Sequence, residues 1–167
     1  MSRRGQLVVL AAAVVAVALL PVLAAYAQLG YQPAADAGPG DPLGDTRRAL
    51  ERALPAATDG VPATYAWPER VNATAAVREA LAPVLAGLRD GGPPGVARSV
   101  ELNQTVARRV SRRACPGGPA RQFEACLAFD GVVVQRRANR SHVVAVAATV
   151  SQVGPDGTVR GTVVVRR

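Results

Sequence analysis

Side chains that could perform catalytic or metal chemistry are sparse in this chain. Cysteine occurs twice, as Cys115 and Cys126, and His142 is the single histidine. Two thiols and one imidazole fall short of the four ligands of a structural zinc site, and the cysteines lack C-x-x-C spacing. No serine lies in a G-x-S-x-G turn, and neither glycine cluster follows a strand and opens a helix as a phosphate-binding loop does. We therefore predict no catalytic residue, no metal, no cofactor and no small-molecule substrate.

Arginine is the chemically distinctive residue, because it supplies all 20 basic side chains and the formal net charge is +8. Four arginines recur at i, i+1, i+4 and i+5 and would form one face of a helix, opposite Val106 and Val110: Arg108, Arg109, Arg112 and Arg113. In a cytoplasmic protein such a face would be a candidate nucleic-acid patch. Outside a membrane, the expected partners are anionic lipid headgroups, acidic surface proteins or acidic glycans. The simplest interpretation, which we favour, is a solvated face without a partner.

Each of the three asparagines begins an N-x-S/T acceptor sequence, and none of these has proline in the middle. The N-glycosylation candidates are Asn72, Asn103 and Asn139. Serine and threonine together number only 13 of 167 residues, so three such matches by chance have a probability on the order of one in two thousand. Asparagine also favours helix caps and turns for its own hydrogen bonding, which is the structural alternative for each site.

The stretch from Leu7 to Leu29 determines where these residues are placed in the cell. It contains no charged residue, and as a helix it would be about 34 Å long, enough to cross a hydrocarbon core of roughly 30 Å. Arg3 and Arg4 precede it directly, so the positive-inside rule predicts a cytoplasmic N-terminus. We therefore expect the bilayer to hold residues 7–29 and the C-terminal domain to be extracellular, without a nucleic-acid partner.

Three processing routes fit this N-terminus. The apolar run can remain as a signal anchor, or it can be a secretion signal cleaved after Ala27, since Ala25-Tyr26-Ala27 is a small-x-small site. Alternatively, Arg4-Gly5-Gln6-Leu7 resembles the processing site of type IV pilin-like proteins, where a short basic leader is cut between Gly5 and Gln6. Leu10 would then stand at the fifth mature position, where bacterial pilins usually carry a glutamate.

An extracellular location affects the expected oxidation state of the two cysteines. Exported domains meet oxidising conditions in which two cysteines normally pair, so we predict a Cys115–Cys126 disulfide. The core is expected to consist mainly of valine, leucine and alanine, since only 6 residues are aromatic, and such a core gains from a covalent tie.

The elements are predicted from periodicity and from glycine and proline. Residues 1–6 form the leader and 30–44 a flexible stalk, and 45–167 form one α+β domain. We predict a helix from Asp45 that ends at Pro55, a loop over 60–68, and a helix over 69–88 that Pro83 kinks. A strand over 97–102 precedes a helix to about Ala114, capped by Asn103. A loop from Cys115 to Cys126 leads to strands over 131–137, 141–153 and 158–166, with a hairpin turn at 154–157. The predicted sheet is antiparallel, with three to four strands.

Four segments of the sequence carry a resemblance to a known family. They are the Arg-Gly-Gln-Leu-Val opening, the Gln-Leu-Gly-Tyr end of the apolar run, the Cys-Pro-Gly-Gly-Pro loop closed by a second cysteine, and the Gly-Val-Val-Val-Gln-Arg-Arg strand. Together they resemble an uncharacterised family of haloarchaeal single-pass membrane proteins with type IV pilin-like N-termini. The resemblance implies a haloarchaeal cell surface and carries no catalytic residues. Halophile proteins are usually acidic, and this chain departs from that rule.

Two functions follow from these observations. The first is a membrane-anchored, pilin-like structural or interaction protein that displays its domain at the cell surface and binds other pilin-like or surface proteins. The second is a secreted soluble binding domain released after Ala27.

Overall fold

The computed structural model describes residues 40–117 and 123–167. The predicted leader, the apolar run and most of the predicted stalk lie outside the described residues. Within the described residues, no helix combines the length and the apolar character needed to cross a bilayer. One compact unit spans Asp41–Arg167.

The first helix, α1, spans Pro42–Thr58, so the predicted helix from Asp45 to Pro55 was too short at both ends. Asp41 caps its start by accepting the Leu43 N–H at 3.2 Å, and Pro42 occupies the first turn, where a missing N–H costs nothing. Pro55 does not end the helix because it lies on the exposed side. The carbonyl four residues earlier that lacks its N–H partner belongs to Glu51, which is also exposed.

The predicted loop over 60–68 contains a short helix, α2 (Val61–Thr64), and a 3-10 turn (Trp67–Glu69). Helix α3 then spans Arg70–Asp90 and continues through Pro83, which is also exposed. Val77 and Leu81 of α3 are fully buried, as the spacing predicted.

Strand β1 spans Ala97–Leu102, as predicted, and helix α4 spans Gln104–Arg113 after the Asn103 cap. Strand β2 (Cys126–Phe129) was not predicted from the sequence. The remaining strands are β3 (Val132–Arg137), β4 (Arg140–Gly154) and β5 (Gly157–Arg166). The predicted turn between β4 and β5 is a two-residue hairpin at Pro155-Asp156.

The five strands form one antiparallel sheet organised around β4, which at 15 residues is the longest strand. Strand β5 pairs along one edge of β4, from Ala145 to Gly154. Strand β3 pairs with residues 140–146 of β4 and β1 with residues 148–153, so β3 and β1 lie end to end along the other edge. Strand β2 pairs only with β3.

A β-bulge in β4 sets which side chains meet each face of the sheet. Val134 pairs with Val143 and Val133 with Ala145, so Val144 is the extra residue. Helices α1 and α3 cover one face, and helix α4 covers part of the other. The first face holds the larger core: Leu50, Leu54, Val77, Leu81, Leu85, Val100, Val132, Val134, Val146, Val150, Val163 and Val165, among others. The fold of the described residues is therefore α+β, as predicted, with five strands rather than three to four.

Candidate functional site

Helix α4 carries the arginine cluster, and its start is fixed to the sheet by Asn103. The Asn103 Oδ1 accepts the Val106 N–H at 2.9 Å, which caps the helix. Its Nδ2 donates to the Thr149 Oγ1 at 2.6 Å, and its backbone N–H donates to the Ala147 carbonyl at 2.8 Å. The two bonds to Thr149 and Ala147 attach the capped first turn of α4 to the middle of β4.

The two sides of α4 differ as the sequence predicted. Ala107 is fully buried, and Val106 and Val110 pack with it against the valines and alanines of β3 and β4. The four arginines on the other side are all exposed. At 100° per residue they span an arc of about 140°. We call this surface the arginine face: Arg108, Arg109, Arg112 and Arg113.

No acidic side chain of the described residues forms a salt bridge with the arginine face. Two like-charge pairs at i, i+4, Arg108 with Arg112 and Arg109 with Arg113, weaken the helix by a few tenths of a kcal/mol each. Arg112 and Arg113 partly offset this, because they lie at the helix C-terminus, where the dipole favours cations. The arrangement offers forked N–H donors to carboxylate, sulfate or phosphate oxygens.

The predicted disulfide joins Cys115 to Cys126, with their Cα atoms 5.6 Å apart. It ties the chain just after α4 to the first residue of β2. The fully buried Gln135 supports the same junction. Its Nε2 donates to the carbonyls of Pro116 at 2.7 Å and Glu124 at 2.8 Å, and its Oε1 accepts from the Arg137 Nε. The end of α4 is thus held both covalently and by a buried amide.

His142 lies near the start of β4, opposite Gln135 of β3. Partial burial lowers the pKa of its imidazole, and the charges of Arg137 and Arg167 lower it further. Within residues 40–117 and 123–167, no group of three or more His, Cys, Asp or Glu side chains could hold a metal ion.

The three acceptor asparagines have different surroundings. Asn139 is exposed in the β3–β4 turn, where its φ is 60°. Its Oδ1 accepts a hydrogen bond from Arg136, and its Nδ2 has no partner among the described residues. Asn72 is exposed in the first turn of α3, but the Thr74 that completes its acceptor sequence is buried. Asn103 uses both side-chain atoms, for the cap and for Thr149. Asn139 is therefore the acceptor best placed for a glycan.

The predicted sites do not converge on one cleft. Helix α4 covers one face of the sheet, whereas α3, with Asn72, covers the other, and Asn139 lies in a hairpin turn. The leader site at Gly5 and Gln6 lies outside the described residues.

A second surface was not predicted from the sequence. A groove of about 660 Å³ runs between α3 and β1 and is closed at one end by Gln104 and Asp130. We call it the α3–β1 groove. Its lining residues follow no local motif, since they meet only when β1 and α3 pack together. The one available signal was the length of the predicted strand over 141–153, which exceeds that of every other predicted strand.

Comparison with known proteins places the chain in a family without assigning an activity. Neither a curated protein nor a solved structure matches it. A family model matches residues 1–166, nearly the whole chain, and the protein therefore belongs to DUF7261, a family of unknown function.

Proposed function

We propose that this protein is a membrane-anchored, pilin-like structural or interaction protein of the cell surface. The observation that carries the proposal is the uncharged run from Leu7 to Leu29, preceded directly by Arg3 and Arg4. A run of this length and composition fits a transmembrane helix, and the arginines favour a cytoplasmic N-terminus. The α+β domain would then be displayed outside the cell.

One property of the domain supports this location. The disulfide suits an oxidising compartment, since cytosolic proteins rarely keep such a bond.

The arginine face suits a protein whose function is to bind other molecules at its surface. Its exposed guanidinium groups can bind acidic surface proteins, acidic glycans or lipid headgroups through paired hydrogen bonds. In about 1 M salt the Debye length is roughly 3 Å, so only direct contacts of this kind would retain strength.

The alternative is a secreted soluble binding domain. It rests on Ala25-Tyr26-Ala27, a small-x-small sequence at the end of the apolar run. In that case the protein leaves the membrane after cleavage and the same domain acts in free solution.

Mass spectrometry of the mature N-terminus in native membranes tests the proposal. The pilin-like route predicts a chain that begins at Gln6, and Gly5→Val should block that cleavage while Ala25→Leu leaves it unchanged. A leader that is intact or has lost only Met1 would refute pilin-like processing and would leave the membrane anchor as the remaining interpretation. A mature chain that begins at Gln28, sensitive to Ala25→Leu, would replace the proposal with the secreted alternative.

A further inference from the structure

Among the described residues, the sheet has a vacant strand position beside β1. Strands β1 and β3 lie end to end along one edge of β4, and β2 lies outside β3 only. No described residue pairs with the outer edge of β1. The vacant position therefore continues the line of β2.

The backbone of β1 presents unpaired groups to this position. The bond from the Asn103 N–H to the Ala147 carbonyl, 2.8 Å, shows that odd-numbered residues of this segment bond to β4. In an antiparallel ladder the intervening residues direct their N–H and C=O groups the opposite way. Those residues are Arg98, Val100 and Leu102, and none of their backbone groups has a partner outside the β1–β4 ladder in the described chain.

The α3–β1 groove occupies this vacant position. One side of α3 forms a wall of Ala75, Arg78, Glu79, Ala82 and Arg89. Val100 and Leu85 form the apolar floor of the groove, to which Leu102 adds a partly exposed side chain. Val100 is only 1% exposed, so a bound strand reaches its backbone by displacing the side chains that cover it. Gln104 closes one end by donating to the Ala128 carbonyl at 2.9 Å and accepting the Gly131 N–H at 3.1 Å. A bound strand would thus have backbone partners on one side and a helix on the other.

Within the described residues, no basic side chain of β1 itself protects this edge as charges commonly do on an exposed strand. Arg78, which pairs with Asp130, and Arg89 line the groove from α3. The Arg98 guanidinium is turned back across the sheet, where its Nε and Nη2 donate to the Gln152 Oε1 at 3.1 and 2.8 Å. The outer edge of β5, in contrast, carries exposed Arg160 and Arg166. The remaining charge on β1 is Glu101, which is exposed and has no salt-bridge partner in the described residues.

We propose that the α3–β1 groove binds an extended segment of a partner protein as a sixth strand, antiparallel to β1. Unpaired backbone groups require an extended partner, as in β-strand addition. Partner residues opposite Val100 and Leu102 face the apolar floor. The residue opposite Glu101 stands at a non-hydrogen-bonded position, where side chains are closest, and is therefore basic. The partner segment alternates apolar and polar residues with one arginine or lysine.

The inference goes beyond the proposed function, because it concerns the domain whether or not the chain is anchored. The probe is a fluorescein-labelled peptide, Thr-Val-Arg-Val-Thr-Val-Thr, with blocked ends, titrated against the full-length protein in mild detergent while anisotropy is recorded. Its Arg is placed to lie opposite Glu101. We expect it to bind about tenfold more tightly than the same peptide with Glu in place of Arg, since attraction replaces repulsion. In Glu101→Lys the preference should reverse.

Two tryptophan variants test the location. Ala82→Trp places an indole inside the groove and should abolish binding, whereas Ala80→Trp, exposed on the opposite side of α3, should leave it unchanged. A peptide N-methylated at the residues opposite Val100 and Leu102 should also fail to bind. Absence of saturable binding, or binding unaffected by Ala82→Trp, would refute the proposal that the α3–β1 groove binds the peptide. Equal affinity for the Arg and Glu peptides would overturn the assigned basic partner.

Discussion

Reduction of the Cys115–Cys126 disulfide should lower the free energy of unfolding by about 3 kcal/mol. The two cysteines are 11 residues apart, and in the loop-entropy model a closed loop of about this length restricts the unfolded chain by about that amount. The reductant acts on nothing else, because the chain contains only these 2 cysteines. For a domain with an ordinary stability of about 5–15 kcal/mol, this is at least a fifth of the total.

The native state gives a reason to expect the full value. Gln135 donates to the carbonyls of Pro116 and Glu124, so both ends of the loop also have a hydrogen-bonded attachment in the folded state. Reduction therefore acts mainly by releasing the unfolded chain.

Urea denaturation of the full-length protein in mild detergent, followed by circular dichroism, measures the effect. With an m-value of about 2 kcal/mol/M, reduction should lower the midpoint by about 1.5 M. The variant Cys115→Ala/Cys126→Ala should have a midpoint that does not respond to reductant. If the wild-type midpoint moves by less than about 0.3 M, the disulfide is not restricting the unfolded chain and the reasoning is wrong.

Three further predictions concern α4 and the acceptor asparagines. Asn103→Ala should cost about 1–2 kcal/mol by thermal denaturation, because the cap and the Thr149 bond are both lost, while Asn72→Ala changes stability by less than about 0.5 kcal/mol. Arg108→Glu should raise the free energy of unfolding by about 0.5 kcal/mol, since an attractive Glu–Arg pair with Arg112 replaces repulsion. Arg108→Gln should give part of that gain. A lower free energy of unfolding in Arg108→Glu would contradict the account of the arginine face. Glycopeptide analysis of native protein should find a glycan on Asn139 and none on Asn103; the reverse pattern would refute this ranking.

Local signals in the sequence were sufficient for β1, α4 and the last hairpin. Asn103 fixed the start of α4 because its side chain can cap a helix with no help from distant residues. The sequence also placed the four arginines opposite Val106 and Val110, and the structure has them exposed on that side. The disulfide was predicted from the expected compartment alone.

The remaining features depend on distant contacts. Strand β2 has four residues with no clear alternation, and it forms because the Asp130-Gly131 turn returns the chain to pair with β3. Helix α1 passes Pro55 because tertiary packing of Leu50 and Leu54 outweighs one lost hydrogen bond on the exposed side. The α3–β1 groove arises from the end-to-end placement of β1 and β3 on β4, which no local pattern encodes.

Protease accessibility in intact, wall-stripped cells tests the central claim of a displayed, anchored domain. Proteinase K added outside should digest the chain beyond about residue 28 and leave an N-terminal epitope protected until detergent opens the membrane. Release of the intact domain into the medium before protease treatment would favour the secreted alternative. Protection of the C-terminal domain in unopened cells would contradict the proposed topology and, with it, a function at the cell surface.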